Sequence, residues 1–240
     1  MAVSVTLALA LLAGGFWLYR VESEEIYREQ HQAVAAIAEL KSGQIQQWRN
    51  QRLADADRVA RGPFETRAVA AFLREPGDRD HRADLRARLK LEQEDGLYHD
   101  VLLLAPDGHI LLTTEEHPDP MNPATRRAIA AALAGRKAVI SDLFKEPDGI
   151  VHIDAASAVR DADGRPLAVV VLRSTAETYL YPLLQSWPTP SRSAETSLVQ
   201  REGEDVVFLY DPSQYSRIPE SRRFPLTRTN LPAVQAVLGT

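Results

Sequence analysis

Residues 22–61 read ESEEIYREQHQAVAAIAELKSGQIQQWRNQRLADADRVAR, a charged stretch with no proline and one glycine, Gly43. Apolar residues recur in it mainly at spacings of three and eight: Val34, Ile37, Ile45, Trp48, Ala56 and Val59. Such spacings place one apolar stripe along an α-helix. Gly62 and Pro63 follow, and this pair is typical of a helix end. The stretch predicts a long helix over residues 21–62 that packs along one face.

An uncharged run, MAVSVTLALALLAGGFWLY, occupies residues 1–19. As a helix it would extend about 28 Å, roughly the thickness of a bilayer's hydrocarbon core. A cleaved signal peptide would have a basic start and a small-residue site after its apolar core. Here no basic residue precedes the run, and its Ala-x-Ala lies inside it. We expect an uncleaved anchor over residues 1–20 in the inner (cell) membrane, with residues from about 21 onward extracytoplasmic, in the periplasm.

Composition excludes several classes of function. The chain is 45% hydrophobic and 25% charged, as in ordinary globular proteins. Its net charge of −5 argues against nucleic-acid binding. The absence of cysteine removes disulfides and thiolate metal sites. The six histidines are scattered, and the sequence contains no P-loop or nucleophile motif. We therefore expect no catalytic site, no metal site and no cofactor in this sequence.

The middle of the chain alternates strand and turn signals. Residues 97–104 (LYHDVLLL) and 109–114 (HILLTT) flank an aspartate–glycine turn and predict a hairpin. Asn122 and Pro123 then suit the cap and first position of a helix. Three further strands are predicted over residues 139–144, 150–160 and 166–174. We expect an α+β fold in which the long helix packs on one antiparallel sheet.

The last quarter of the chain predicts a second, smaller unit. Residues 175–185 predict a helix, and two prolines within residues 186–191, SWPTPS, indicate a linker after it. Residues 194–200 and 205–210 predict another hairpin, and a helix opens near Pro232. We expect this unit to be incomplete, because it lacks the strands of a full sheet.

Four segments together resemble a known family: LKSGQIQQWRNQRLADADRVA at 40–60, DVLLLAPDGHILLTT at 100–114, ISDLFKEPDGIVHIDAASAV at 140–159, and YLYPLLQSWPTPSRSAETSLVQREGEDVVFL at 179–209. The chain resembles the double-Cache extracytoplasmic sensor domains of bacterial membrane signalling proteins, and especially the sensory regions of PAS-containing histidine kinases. The resemblance implies a PAS-like sheet in a membrane-distal module over residues 63–185. It also implies a truncated membrane-proximal module, with its linker, over residues 186–240.

The family resemblance also implies a function and partners. The chain would be the ligand-sensing region of a two-component sensor histidine kinase that passes a helix displacement across the membrane. A chemoreceptor, a diguanylate cyclase or a structural ectodomain without ligand are the alternatives. The implied partners are a small polar metabolite, the membrane and a second copy of the chain through the long helix. The arginine-x-tryptophan-tyrosine pattern of amino-acid-binding relatives is missing, which counts against an amino-acid ligand.

Polar residues on strands that otherwise read as core predict the ligand site. Alternate residues of a strand share a face, so His152 and Asp154 lie together, as would Tyr98 and Asp100. The candidate site residues are Tyr98, Asp100, Asp142, Phe144, His152, Asp154 and Arg173. The guanidinium of Arg173 suits an anionic or zwitterionic ligand. An internal salt bridge between Arg173 and Asp154 or Asp100, with no ligand, is the alternative, and both remain open.

Overall fold

The computed structural model describes residues 2–94, 96–115, 121–146, 149–187, 195–210 and 222–239. The chain divides into two compact units, residues 1–44 and 45–240. In the described part of the chain, no helix is both long enough and apolar enough to cross a membrane. The anchor was predicted at residues 1–20, and the side chains of residues 1–13 lie outside the described part of the chain.

Three helices form the N-terminal part of the fold. Helix α1 spans Ala2–Arg61, and it ends where predicted because Pro63 begins the next helix. Helix α2 spans Pro63–Arg74 and helix α3 spans Arg79–Glu94. The carboxylate of Asp78 accepts hydrogen bonds from the backbone N–H groups of Asp80 and His81, which caps the start of α3.

A six-stranded antiparallel sheet follows α3. Its strands are β1 (Asp100–Leu104), β2 (Ile110–Thr113), β3 (Val139–Ile140), β4 (Phe144–Lys145), β5 (Val151–Arg160) and β6 (Pro166–Thr175). The order across the sheet is β2-β1-β6-β5-β3, and β4 also pairs with β5. Helix α4, Pro123–Ala134, lies between β2 and β3 in the chain, and the side chain of Asn122 caps it. The predicted antiparallel sheet is confirmed.

Two predicted elements differ from the structure. Residues 139–144 form two short strands, because the chain leaves the ladder at Ser141, whose hydroxyl accepts the N–H of Asp154. The helix predicted over residues 175–185 is shorter: α5 spans Leu180–Gln185. Strand β6 extends to Thr175, and the N–H of Ala176 still donates to the carbonyl of Val151.

The sheet is covered on both faces. One face packs on α1, α2 and α3 through the buried residues Ala56, Val59, Val69, Phe72, Leu85, Leu89, Val101, Leu103, Ala155, Val159, Val170 and Leu172. The other face packs on α4 through Leu102, Leu104, Ala128, Ile129, Ala132, Ala156, Val169 and Val171. Burial of both faces explains why β1, β5 and β6 are nearly continuous apolar runs in the sequence.

A second sheet consists of β7 (Leu198–Glu202), β8 (Asp205–Tyr210) and β9 (Arg223–Pro225), with helix α6 (Pro232–Leu238) beside it. Its predicted hairpin is confirmed. The hydroxyl of Tyr181 in α5 donates to the carbonyl of Leu209 at 3.2 Å, and the rings of Tyr181 and Tyr210 lie 4.6 Å apart. Of the linker predicted at residues 186–191, residues 188–191 lie outside the described part of the chain.

Replacing Leu103 by alanine tests the packing of the central sheet. Its side chain is fully buried, with 0% exposure, whereas Leu91 in α3 is 63% exposed. We expect Leu103→Ala to lower the free energy of unfolding by about 2–5 kcal/mol and Leu91→Ala to change it by less than about 0.5 kcal/mol. Urea denaturation measures both. Equal losses for the two variants would contradict the assignment of β1 to the core.

Candidate functional site

Three neighbouring strands place charged residues side by side on the α4 face of the sheet. Arg173 in β6 lies opposite Asp154 in β5 and opposite Asp100 in β1. Residues directly opposite each other in an antiparallel pair point to the same face. The three side chains therefore form one charged group within a sheet that is otherwise mostly apolar.

Arg173 and Asp154 form a bidentate ion pair. Nε of Arg173 donates to Oδ1 of Asp154 and Nη2 donates to Oδ2, both at 3.0 Å. The two residues are 2% and 0% exposed. Burial alone would lower the pKa of Arg173, but its hydrogen bonds to Asp154 and the charge of that carboxylate outweigh burial, and the pKa is raised. The guanidinium therefore stays charged.

Threonine side chains complete the hydrogen bonding of both aspartates. The hydroxyl of Thr125, in the first turn of α4, donates to Oδ2 of Asp154 at 2.6 Å. Asp100 accepts from the hydroxyls of Thr113 and Thr114 at 2.8–3.0 Å and from the N–H groups of Thr114 and Glu115. Asp100 thus bonds to the end of β2, while its charge still contributes to the raised pKa of Arg173.

Aromatic rings lie against this charged group. The rings of Phe144 and His152 are 5.9 Å apart and nearly parallel, at 26°. Cζ of Arg173 lies 5.4 Å from the centre of the Phe144 ring, within the range of a cation–π contact. The structure therefore brings together five of the predicted residues: Asp100, Phe144, His152, Asp154 and Arg173.

The other two predicted residues lie elsewhere. Asp142 pairs with Arg127 at 3.1 Å, and both side chains are about two-thirds exposed, at 66% and 67%. The expectation that Tyr98 shares a face with Asp100 is wrong, because β1 begins only at Asp100 and Tyr98 packs on the opposite, α1 side. Its hydroxyl donates to Asp55 of α1 at 2.6 Å.

Helix α1 contributes a buried cation beside Tyr98. Arg52 is 4% exposed, its Cζ lies 4.8 Å from the Tyr98 ring, and its Nη2 lies 3.7 Å from Asp55. Trp48, one turn earlier, stacks on Tyr179 with ring centres 5.4 Å apart. These contacts hold this part of α1 against Tyr98 and Tyr179.

The sequence patterns did not identify Thr113, Thr114 and Thr125 as hydrogen-bond partners of the two aspartates. Thr113 and Thr114 end the predicted return strand, and antiparallel pairing of that hairpin could have placed them beside Asp100. Thr125 carried no such signal, since its position depends on how α4 crosses the sheet.

No protein-family model and no curated protein sequence matches the chain. Among solved structures, the ligand-binding domain of the Pseudomonas aeruginosa amino acid chemoreceptor PctC in complex with GABA is 22% identical, with a TM-score of 0.47 over 64% of this chain and 63% of that one. That of Pseudomonas fluorescens CtaA in complex with L-serine is 16% identical, with a TM-score of 0.47 over 72% and 68%. That of Campylobacter jejuni Tlp3 in complex with L-norvaline is 10% identical, with a TM-score of 0.47 over 72% and 81%.

The chain thus spans 63% of the length of the first of these domains. All three are ligand-binding domains of chemoreceptors. The predicted histidine kinase stays a prediction.

Asp154→Asn tests the ion pair. The variant leaves the buried guanidinium of Arg173 without its anionic partner, and we expect a loss of about 3–5 kcal/mol in the free energy of unfolding. Asp142→Asn is the matched control, because it breaks an exposed pair worth at most about 1 kcal/mol. Chemical denaturation at pH 7 measures both. Similar small losses would show that Arg173 does not depend on Asp154.

Tyr98→Phe tests the contact between α1 and the sheet. Burial first, and then the hydrogen bond to Asp55, raise the pKa of Tyr98 above its usual range. The hydroxyl therefore stabilises the folded state below about pH 10, where the unfolded tyrosine begins to ionise, and this contribution is lost as the pH rises further. We expect Tyr98→Phe to cost about 1.5–3 kcal/mol at pH 7, with the difference from the parent shrinking above about pH 10. A difference that stays constant to pH 11 would contradict this account.

Proposed function

We propose that the chain is the ligand-sensing region of a membrane signal-transduction protein and that it binds a small polar molecule on the α4 face of its six-stranded sheet. The buried group formed by Asp100, Arg173 and Asp154 carries this proposal. The aromatic rings of Phe144 and His152 form the apolar side of the same site.

The energetics of buried charges favour a functional role for this group. Desolvating two ions can cost as much as their attraction returns, and apolar residues of similar size are often as stabilising or more so. Most residues of the surrounding strands are valine, alanine, leucine or isoleucine, and such residues could fill the same space. A charged group kept in such a sheet is therefore better explained by recognition of a polar ligand than by stability.

The charges in the site indicate the ligand's chemistry. Two carboxylates, Asp100 and Asp154, face one guanidinium, and the charge of Glu146 adds to the negative field around Arg173. An ammonium group would offset this excess of negative charge. The fork of Arg173 already holds Asp154, so a purely anionic ligand would have to displace that carboxylate. We therefore favour a small zwitterion or amine over an anion.

Contacts between the sheet and α1 offer a route for the signal. Asp57 of α1 accepts from the hydroxyl of Ser157 at 2.7 Å, and Ser157 lies on the same strand as Asp154. Asp55 of α1 holds Tyr98, next to β1. A ligand acts as a signal only if it favours one of two states, and a shift of β1 or β5 would change the position of α1.

The membrane context belongs to the same proposal. The apolar run at residues 1–19 supports an inner-membrane anchor with the sensing region in the periplasm. In the same proposal the chain forms a homodimer through α1, where Val34 and Leu40 are 56% and 54% exposed. We propose a histidine kinase as the output module; a chemoreceptor or a diguanylate cyclase could use the same sensor.

The closed ion pair favours a second candidate function. Arg173 and Asp154 satisfy each other without a ligand, as in a structural or dimerisation ectodomain.

A thermal-shift screen of the full chain against amino acids, amines and carboxylic acids separates these functions. A true ligand at 100 times its Kd should stabilise the protein by about 2.7 kcal/mol. We expect Asp154→Glu and Phe144→Leu to weaken a confirmed ligand at least about tenfold, since both line the site. Calorimetric titration measures the affinities.

Ile153→Val is the control, because Ile153 lies on β5 beside Asp154 but packs on the opposite face. A ligand that binds all variants with equal affinity would place the site elsewhere. If no compound binds and Asp154→Leu/Arg173→Met is clearly less stable than the parent, the ion pair serves stability and the structural ectodomain is the better account.

A further inference from the structure

A cleft lies at the other end of β5, away from the charged group described above. Its volume is about 280 Å³, and it is enclosed by the end of α1, the start of α2, the end of α4 and β5. Its lining residues are Ala60, Arg61, Thr66, Ala132, Arg136, Lys137, Ser157, Ala158 and Arg160. Arg160 lies six positions after Asp154, about 20 Å along an extended strand, and Ser157 contacts α1 on the opposite face of the sheet from Asp154, so the two sites are distinct.

Basic side chains dominate this cleft: Arg61, Arg136, Lys137 and Arg160. Two of them already have partners. Arg160 donates to the carbonyls of Leu133 at 2.7 Å and Gly135 at 2.6 Å, where it offsets the negative end of the α4 dipole. Arg61 pairs with Asp57 at 3.2 Å and also donates to the carbonyl of Arg136.

Asp57 is the carboxylate that pairs with Arg61, and it also accepts hydrogen bonds from other donors. Its Oδ1 accepts from the N–H of Ala138 at 2.9 Å and from the hydroxyl of Ser157 at 2.7 Å, and its Oδ2 faces Arg61. Among the described residues, no carboxylate pairs with Arg136 or Lys137. Asp57 offsets the charge of Arg61, and the carbonyls at the end of α4 offset that of Arg160. The positive charges of Arg136 and Lys137 therefore remain at the cleft.

We infer that this cleft binds a small oxyanion with two negative charges, of the phosphate class. Arg136 and Lys137 supply the charge, and their adjacent positions after the end of α4 place both at the same rim of the cleft. The hydroxyl of Thr66 bonds to the carbonyl of Gly62 at 3.0 Å and leaves its oxygen available as an acceptor rather than a donor. Recognition therefore depends on the cations, and it weakens as the salt concentration rises.

An oxyanion in the cleft would bind the end of α1 directly. Arg61 is the last residue of α1 and lines the cleft, while Asp57, one turn earlier, holds the helix on β5. A bound dianion attracts Arg61 in competition with Asp57. The cleft thus joins anion binding to the contact that positions α1 on the sheet.

Isothermal titration of the full chain with inorganic phosphate tests the inference. We expect saturable binding of phosphate at pH 7.5 that chloride at the same ionic strength does not reproduce. Arg136→Gln/Lys137→Gln should weaken it by roughly tenfold or more, because two charged contacts are lost. Both side chains are exposed, so the variant should melt like the parent in the absence of phosphate.

The matched control is Arg86→Gln/Lys90→Gln. It removes the same two charges from exposed positions on α3, outside the cleft, and should bind phosphate like the parent. Titration with glycerol phosphate distinguishes a free phosphate ligand from an esterified one: tighter binding of the ester indicates the latter. Phosphate binding that is absent in the parent, or equally strong in both double variants, would overturn the inference.

Discussion

Burial of both faces of the β5–β6 pair is the constraint on which the rest of the structure depends. These two strands occupy the middle of the sheet, between α1 on one side and α4 on the other. In such a position every polar side chain must find a partner within the protein or in a ligand. The bidentate pair of Arg173 and Asp154, and the hydroxyl of Thr125 beside it, follow from that requirement.

Local patterns in the sequence predicted most of the elements correctly, because local physics determines them. The helix end at Gly62–Pro63 requires only a residue that ends one helix and a proline that begins the next. The turn before β6 requires a residue with positive φ, and Gly164 supplies it with φ of 81°. Alternation along β5 correctly placed His152 and Asp154 on one face.

The errors arose where the structure depends on pairing between distant residues. Tyr98 belongs to a strand-like sequence, but the strand begins two residues later and its ring faces α1, where Asp55 accepts its hydroxyl. The choice of Asp154 rather than Asp100 as the partner of Arg173 depends on Thr113 and Thr114, which already satisfy Asp100. Pairing along the predicted hairpin can bring the end of β2 to Asp100, but it does not show that Arg173 then holds Asp154.

Hydrogen bonds from α1 to the sheet have a further consequence for how the helix can move. An apolar stripe such as Ala56 and Val59 restrains a helix weakly along its axis, because dispersion contacts have little directional preference. The hydrogen bonds of Asp55 to Tyr98 and of Asp57 to Ser157 are directional, and they join α1 to the flank of β1 and to β5. Both aspartates lie within one turn of the helix, so a rotation of α1 would break both bonds, whereas a displacement together with the sheet would break neither. The structure therefore favours movement of this part of α1 with the strands that carry Asp100 and Asp154.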